Sequence, residues 1–263
     1  MIRARRWLCA LLWLPSLAMA SVGEVSLLEG SAVRTSKSGE TSALQVGSRL
    51  DVGDTLKVAE AGNLKVTLTD KSMLYLAGGS ELRIDEARFK GLDREGFSAF
   101  LSVGNVWAKV RKAVAGSNAK FEVQTDRAVA GVRGTIFRVD AAKLLDAAKP
   151  KPGQKKQGRT VVSVLSGKVG VTERRVAAVE GKPAAPSSPG PGKPKGPRVQ
   201  VGGPAQVTAQ QWEARFVELQ KNQMITVGDD ELWHAQALDP SKSNDGFARF
   251  VNKDPASPED EEP

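Results

Sequence analysis

Between Val22 and about Val139, apolar residues recur at alternate positions in short runs, separated by Gly, Asp, Asn and Lys-Ser punctuation. Leu64, Val66 and Leu68 share one face while Lys65 and Thr67 take the other, the two-residue period of a half-buried strand. After Thr69-Asp70-Lys71-Ser72 the pattern resumes at Leu74 and Leu76, breaks at Gly78-Gly79 and resumes at Leu82 and Ile84, which predicts two consecutive tight reversals. The same grammar returns in Val106-Ala108-Val110, Phe121-Val123-Thr125, Thr135-Phe137-Val139, Val162-Val164 and Val169-Val171. Short strands at a spacing of roughly 8–12 residues predict an all-β fold, a single compact sandwich or roll of many short antiparallel strands, rather than βαβ units. Helical pattern is scarce. Ala141 to Ala148 has room for two turns, and Trp212, Phe216 and Leu219 fit either a helix or a strand read out of register.

Three segments interrupt this pattern. Residues 149–159 carry Lys149, Lys151, Lys155, Lys156 and Arg159 without an acid and read as an exposed basic loop. Residues 181–197 hold six Pro, four Gly and three Lys, a composition that favours extended, solvated backbone. Residues 254–263 hold five acids and three Pro and read as a disordered acidic tail. Alternation returns at Val199-Val201-Val207 and at Met224 to Val227, so 181–197 is assigned as a long loop inside one domain. The expected organisation is a leader over 1–20, a β domain over 21–230 and a largely irregular tail over 231–263.

The leader is a secretory signal. Arg3, Arg5 and Arg6 form a positive region, Trp7 to Leu14 an apolar one, and Ala18-Met19-Ala20 a small-x-small cleavage site that places the cut between Ala20 and Ser21. The apolar run is too short to span a bilayer, which takes about 20 residues, and no later run reaches that length. No transmembrane segment is therefore expected in the mature chain, whose location is expected to be periplasmic or secreted. The chain's one Cys, Cys9, lies in the leader, so a disulfide framework and every Cys-based metal cluster are excluded. The net charge of the 263 residues is +8; without the three leader arginines, 35 basic residues face 30 acidic ones, and the location of the excess matters more than its size.

The segments Val46-Gly47-Ser48-Arg49-Leu50-Asp51-Val52-Gly53-Asp54-Thr55-Leu56 and Val66 to Leu76 carry a recognisable order, followed by Ser80 to Ile84 and Leu101 to Val106. Phe121 to Thr125, Ala130-Gly131-Val132-Arg133-Gly134-Thr135-Ile136-Phe137-Arg138-Val139 and Thr160 to Val171 continue it. In this order, over about 22–171, the pieces resemble the FecR-like domain of bacterial envelope proteins, here as an exported stand-alone domain. The resemblance implies a compact β-rich extracytoplasmic domain and, in the best-known members, relay of a signal from an outer-membrane receptor to a sigma factor. Those regulators place a cytoplasmic sigma-binding segment and a transmembrane helix before the domain. This chain has a cleavable leader instead, so direct contact of the exported protein with a cytoplasmic sigma factor is not expected.

Read from the residues, Gly53-Asp54 is a turn in which Gly takes positive φ and Asp bonds a nearby N–H. Gly134 before the β-branched Thr135 marks a bulge or a close strand approach. Candidate chemistry is sparse. Asp51 with Asp54, or Asp85 with Glu86, could form an acid/base pair, but catalysis needs them at a cleft with separated pKa values. Asp51, Asp54, Asp70 and Asp85 fall in separate turns and lack calcium-loop spacing. His234, the chain's one His, has no companion nucleophile motif, and Gly131 to Thr135 lacks the Lys of a phosphate loop. No enzyme activity, cofactor or metal is expected. The basic residues Lys149, Lys151, Lys155, Lys156 and Arg159, with Lys182, Lys193, Lys195 and Arg198, are candidate contacts for an anionic polymer. No aromatics interleave with them, so a nucleic-acid partner is not expected. The expected function is a non-enzymatic exported interaction or scaffold module of the bacterial envelope, with signal relay implied by the resemblance and an envelope protein or glycan as partner. The alternative is an anionic-glycan or cell-wall binder that uses the basic loops.

Overall fold

The computed structural model describes residues 21–112, 119–142, 159–174, 216–228, 234–238 and 245–253. In chain order the strands are β1 (Gly23–Glu29), β2 (Ala32–Thr35), β3 (Thr41–Ala43), β4 (Arg49–Leu50), β5 (Thr55–Val58), β6 (Asn63–Leu68), β7 (Met73–Leu76), β8 (Glu81–Lys90) and β9 (Asp93–Lys109). They continue with β10 (Lys120–Gln124), β11 (Ala128–Val132), β12 (Ile136–Ala142), β13 (Arg159–Ser166), β14 (Val169–Glu173), β15 (Phe216–Leu219), β16 (Gln223–Val227) and β17 (Gln236–Ala237). One helix, α1 (Gly246–Asn252), follows.

The strand pairings form two layers joined by one strand. Sheet I runs β4-β1-β6-β7-β9-β12-β13-β16-β17. Sheet II runs β3-β2-β5-β8-β9-β10-β11-β14-β15. Every pair is antiparallel except β9–β10. The 17-residue β9 belongs to both sheets: its first part pairs with β8 and β10 in sheet II, and residues Gly104 to Lys109 pair with β12 in sheet I. Gly104 sits at the change of layer with φ +95°, and a Cβ there would lie 2.5 Å from the Cα of Ser80. Only glycine allows that conformation and that approach. Ser80 completes the crossing by accepting from the Asn105 N–H at 2.9 Å and donating to the Asn105 carbonyl at 3.1 Å.

The inward residues of both layers make one core. Leu64, Val66 and Leu68 from sheet I and Phe97, Leu101, Phe121 and Val123 from sheet II all belong to it. Phe121 of β10 meets Phe137 of β12 edge to face, with ring centroids 6.4 Å apart, so the layers touch through aromatic side chains. The fold is therefore the all-β sandwich the alternation predicts, open at its edges.

Three expectations change. Gly78-Gly79 does not make a hairpin: β7 pairs in sheet I and β8 in sheet II, so that turn carries the chain across the sandwich. Phe216 and Leu219 lie on a strand, and Ala141 and Ala142 continue β12, which removes the start of the helix expected over 141–148; the rest of that segment and Trp212 lie outside the described residues. The tail read as largely irregular contains α1. Asp245 caps that helix by accepting from the Ala248 N–H at 2.7 Å, and Phe247, Phe250 and Val251 are buried at i, i+3, i+4 spacing. The stretch 254–263 lies outside the described residues.

Candidate interaction surfaces

The motif residues singled out in the sequence hold turns together. Gly53, at φ +95°, donates its N–H to the Ile84 carbonyl at 2.8 Å. Asp54 is buried, accepts from the Asp51 N–H at 2.8 Å and faces the Arg34 guanidinium at 3.5 Å. A Cβ on Gly134 would lie 2.9 Å from the Cα of Lys112, the close approach that its position before Thr135 predicts. Thr135 donates its hydroxyl to the Lys168 carbonyl at 2.9 Å and so fixes the turn between β13 and β14. Arg159 is exposed at the start of β13 and donates to Thr226 Oγ1 at 3.4 Å. Lys149, Lys151, Lys155 and Lys156 lie outside the described residues, as do Ala20, Lys182, Lys193, Lys195 and Arg198; Ser21 is described, and its carbonyl accepts from Thr69 Oγ1 at 2.9 Å. His234 is exposed.

Of the carboxylates considered for catalysis, Asp54 faces Arg34, Asp85 faces Arg83 and Glu86 faces Arg88. Asp85 pairs with Arg83 on the exposed side of β8. Asp70 instead joins Arg94 and Ser72 in a buried cluster at one end of the sandwich. Its carboxylate takes the Arg94 guanidinium and, at 2.8 Å, the Ser72 hydroxyl, while Arg94 also donates to the Arg111 carbonyl at 3.2 Å and lies over the Phe121 ring. Burial lowers the pKa of Arg94, against the attraction and hydrogen bond of Asp70. This cluster ties the β6–β7 turn of sheet I to the sheet II half of β9. Among the described residues, no group of three or more His, Cys, Asp or Glu is placed to hold a metal ion.

The two outer faces differ. On sheet I, Tyr75 pairs in register with Trp107 and Lys65, and this patch is roofed by α1. Phe250 meets Tyr75 edge to face at 6.1 Å and Phe247 meets Trp107 at 6.3 Å. Arg138 anchors the helix, donating to Asp140 at 2.6 Å and to the cap residue Asp245 at 2.5 Å. Burial works against the Arg138 charge, but Asp140 and Asp245 more than reverse it, and its pKa is raised. A seven-residue helix has too few turns to persist alone, so this packing is what forms it.

The outer face of sheet II carries a groove of about 820 Å³ across β10, β11, β14 and β15. Its residues fall into rungs because side chains two apart on a strand share a face. The register sets Glu122 opposite Gly131, Gly131 opposite Gly170 and Gly170 opposite Glu218, so two bare glycines are flanked by two carboxylates. On one side of this rung lie the exposed cations Lys120, Arg133 and Lys168. Lys120 reaches Glu122 at 3.3 Å and Lys168 reaches Glu218 at 2.9 Å. On the other side Phe216 lies over Gly170, where a Cβ would be 3.0 Å from the ring, and remains 55% exposed. A large aromatic left half in solvent beside a concave floor is the combination that marks a binding surface. Sequence reasoning missed this groove because it weighed Gly131 to Thr135 only against a phosphate loop and Gly134 only as a backbone device. The available signal was a Gly at an outward position of two alternating strands.

These features define a class: a two-layer β-sandwich with one face covered by its own helix and one face grooved. Residues 54–170 match the family model described as FecR protein. The match begins at Asp54, whereas β1 to β4, which complete both sheets, precede it. Two crystal structures, at 1.65 and 2.50 Å, of a protein described as "a putative anti-sigma factor from Parabacteroides distasonis ATCC 8503" are similar to the chain. Each has 18% identity and a TM-score of 0.43, covering 72% of this chain and 61% of that one. A structure described as "Cell surface anchoring domain" has 23% identity and a TM-score of 0.23 over 23% of this chain and 80% of the other. No curated protein matches the chain. No described helix is long and apolar enough to cross a membrane.

Proposed function

We propose that the chain is a non-enzymatic, exported interaction module of a bacterial envelope, periplasmic or secreted, whose contacts serve signal relay of the kind FecR domains are associated with. The FecR domain over 54–170 carries this reading. The leader pattern of Arg3 to Ala20 supports export, and the engagement of Asp54, Asp85 and Glu86 with arginines supports a structural use of the carboxylates considered for catalysis. A partner would contact the open face of sheet II, since α1 occupies the corresponding face of sheet I.

The test is recovery of partners from envelope extract on immobilised chain Ser21 to Pro263, at low and at high salt, with protein and glycan analysis. A specific envelope protein retained at high salt is the expected result. Recovery of anionic polymer alone, and only at low salt, would contradict the protein-relay part of the reading. The alternative, an anionic-glycan binder, would use the basic residues Lys149, Lys151, Lys155, Lys156 and Arg159, and the exposed Lys120 and Lys168 of the grooved face add cations to it.

A further inference from the structure

We infer that the outer face of sheet I is a docking site for a short amphipathic helix, and that α1 is its displaceable occupant in cis. A partner helix takes the face when it presents a carboxylate at its cap and aromatic rings two and five positions further on. The inference goes beyond the contact proposed for sheet II and does not depend on it.

The first argument is a match of spacings. The register sets Tyr75 of β7 beside Trp107 of β9, and Trp107 beside Arg138 of β12, so three outward side chains form one rung across adjacent strands. Neighbouring strands lie about 4.8 Å apart, and three residues of an α-helix rise about 4.5 Å. A helix laid across the strands therefore meets a new rung residue about every three positions. Asp245 of α1 meets Arg138 at 2.5 Å, Phe247 meets Trp107 with ring centroids 6.3 Å apart, and Phe250 meets Tyr75 at 6.1 Å. The face thus reads a cap carboxylate and two rings in a fixed order.

The second argument is that the occupant is held less firmly than these contacts suggest. Trp107, 2% exposed and packed against Phe247, has no hydrogen-bond partner for its Nε1. A dry donor costs the closed state its hydration, and lifting the cover returns it. Gly246 begins the helix although a Cβ there would meet nothing within 4 Å and its φ lies outside the left-handed region. Glycine weakens a helix, and here neither a contact nor a dihedral calls for it. Arg138 keeps Asp140 at 2.6 Å when Asp245 departs, so release does not strand a buried cation. These features favour opening of α1 as a unit with the sandwich intact.

The probe is a capped peptide of residues 243–253, with a twin carrying Ala at both Phe positions. It is added to chain Ser21 to Pro263 and to two variants: Asp245→Ala loosens the cover, and Gly246→Ala tightens it. Amides of residues 249–252 are expected to exchange at least about ten-fold faster than those of residues 106–108 in β9. Their exchange is expected to be about ten-fold faster still in Asp245→Ala and about three-fold slower in Gly246→Ala, with the sandwich folded in both. Peptide capture, read by fluorescence anisotropy, is expected to be tightest on Asp245→Ala and about ten-fold weaker on the parent, where the tethered α1 competes at high effective concentration. It is weakest on Gly246→Ala, and the Ala twin is not captured. Exchange of α1 no faster than that of β9, equal capture by the parent and Asp245→Ala, no capture by Asp245→Ala, or capture of the Ala twin each overturns the inference. Dimerisation of Asp245→Ala without peptide, rising with concentration in sedimentation, would assign the face to α1 of a second copy and overturn the partner-helix reading.

Discussion

The two outer faces of the sandwich are built from the same kind of strand and put to opposite uses. On sheet I, β7 and β16 are buried at nearly every position, and the outward Tyr75 and Trp107 are buried like core residues. On sheet II, β10, β11 and the Val169 to Thr172 part of β14 alternate between buried and accessible positions, and the large outward aromatic, Phe216, is half in water. A sheet covered on both sides reads as a continuous apolar run, whereas a half-covered sheet alternates. The contrast teaches that, among the described residues, α1 closes one face and no element covers the other.

Substitutions that break the contrast run from large to small effects. Asp70→Ala strikes what both faces share, the cluster tying the layers together. It strands Arg94, which is 2% exposed, and is expected to cost about 3–5 kcal/mol in chemical unfolding. Trp107→Ala opens a cavity under α1 and is expected to cost about 3–5 kcal/mol, read by the same unfolding curve. Asp245→Ala removes the cap of α1 and one of the two carboxylates on Arg138, for an expected loss of about 1–2 kcal/mol and faster amide exchange in residues 246–252. Phe216→Ala, the corresponding aromatic truncation on the open face, is expected to change stability by no more than about 0.5 kcal/mol while weakening ligand capture. Equal costs for Trp107→Ala and Phe216→Ala would erase the distinction between the faces.

Much of this was legible in the sequence, for identifiable reasons. Alternation at Leu64 to Leu68 and at Phe121 to Thr125 reports the inward side of a strand, a local property, and the structure buries Leu64, Leu68, Phe121 and Val123 as that period requires; Lys65, expected on the open face of its strand, is buried as well because it lies against the Tyr75 ring. Gly134 and Thr135 were legible as a close approach because a glycine before a β-branched residue has a local steric meaning. Gly78-Gly79 was not legible as a layer crossing, since a reversal in sequence does not say which sheet the next strand joins. Helix α1 was hidden by its composition: the cap Asp245 and the Phe247, Phe250, Val251 spacing were present but stood beside a proline-rich acidic tail. The groove was the least legible feature. It exists because Gly131 of β11 meets Gly170 of β14, and that register follows from non-local pairing rather than from either segment.

Hydroxyl-radical footprinting of chain Ser21 to Pro263 tests the central claim most directly. The account predicts fast labelling of Phe216, which is 55% exposed, and slow labelling of Tyr75 and Trp107 beneath α1. Fast labelling of Tyr75 and Trp107, or slow labelling of Phe216, would contradict it.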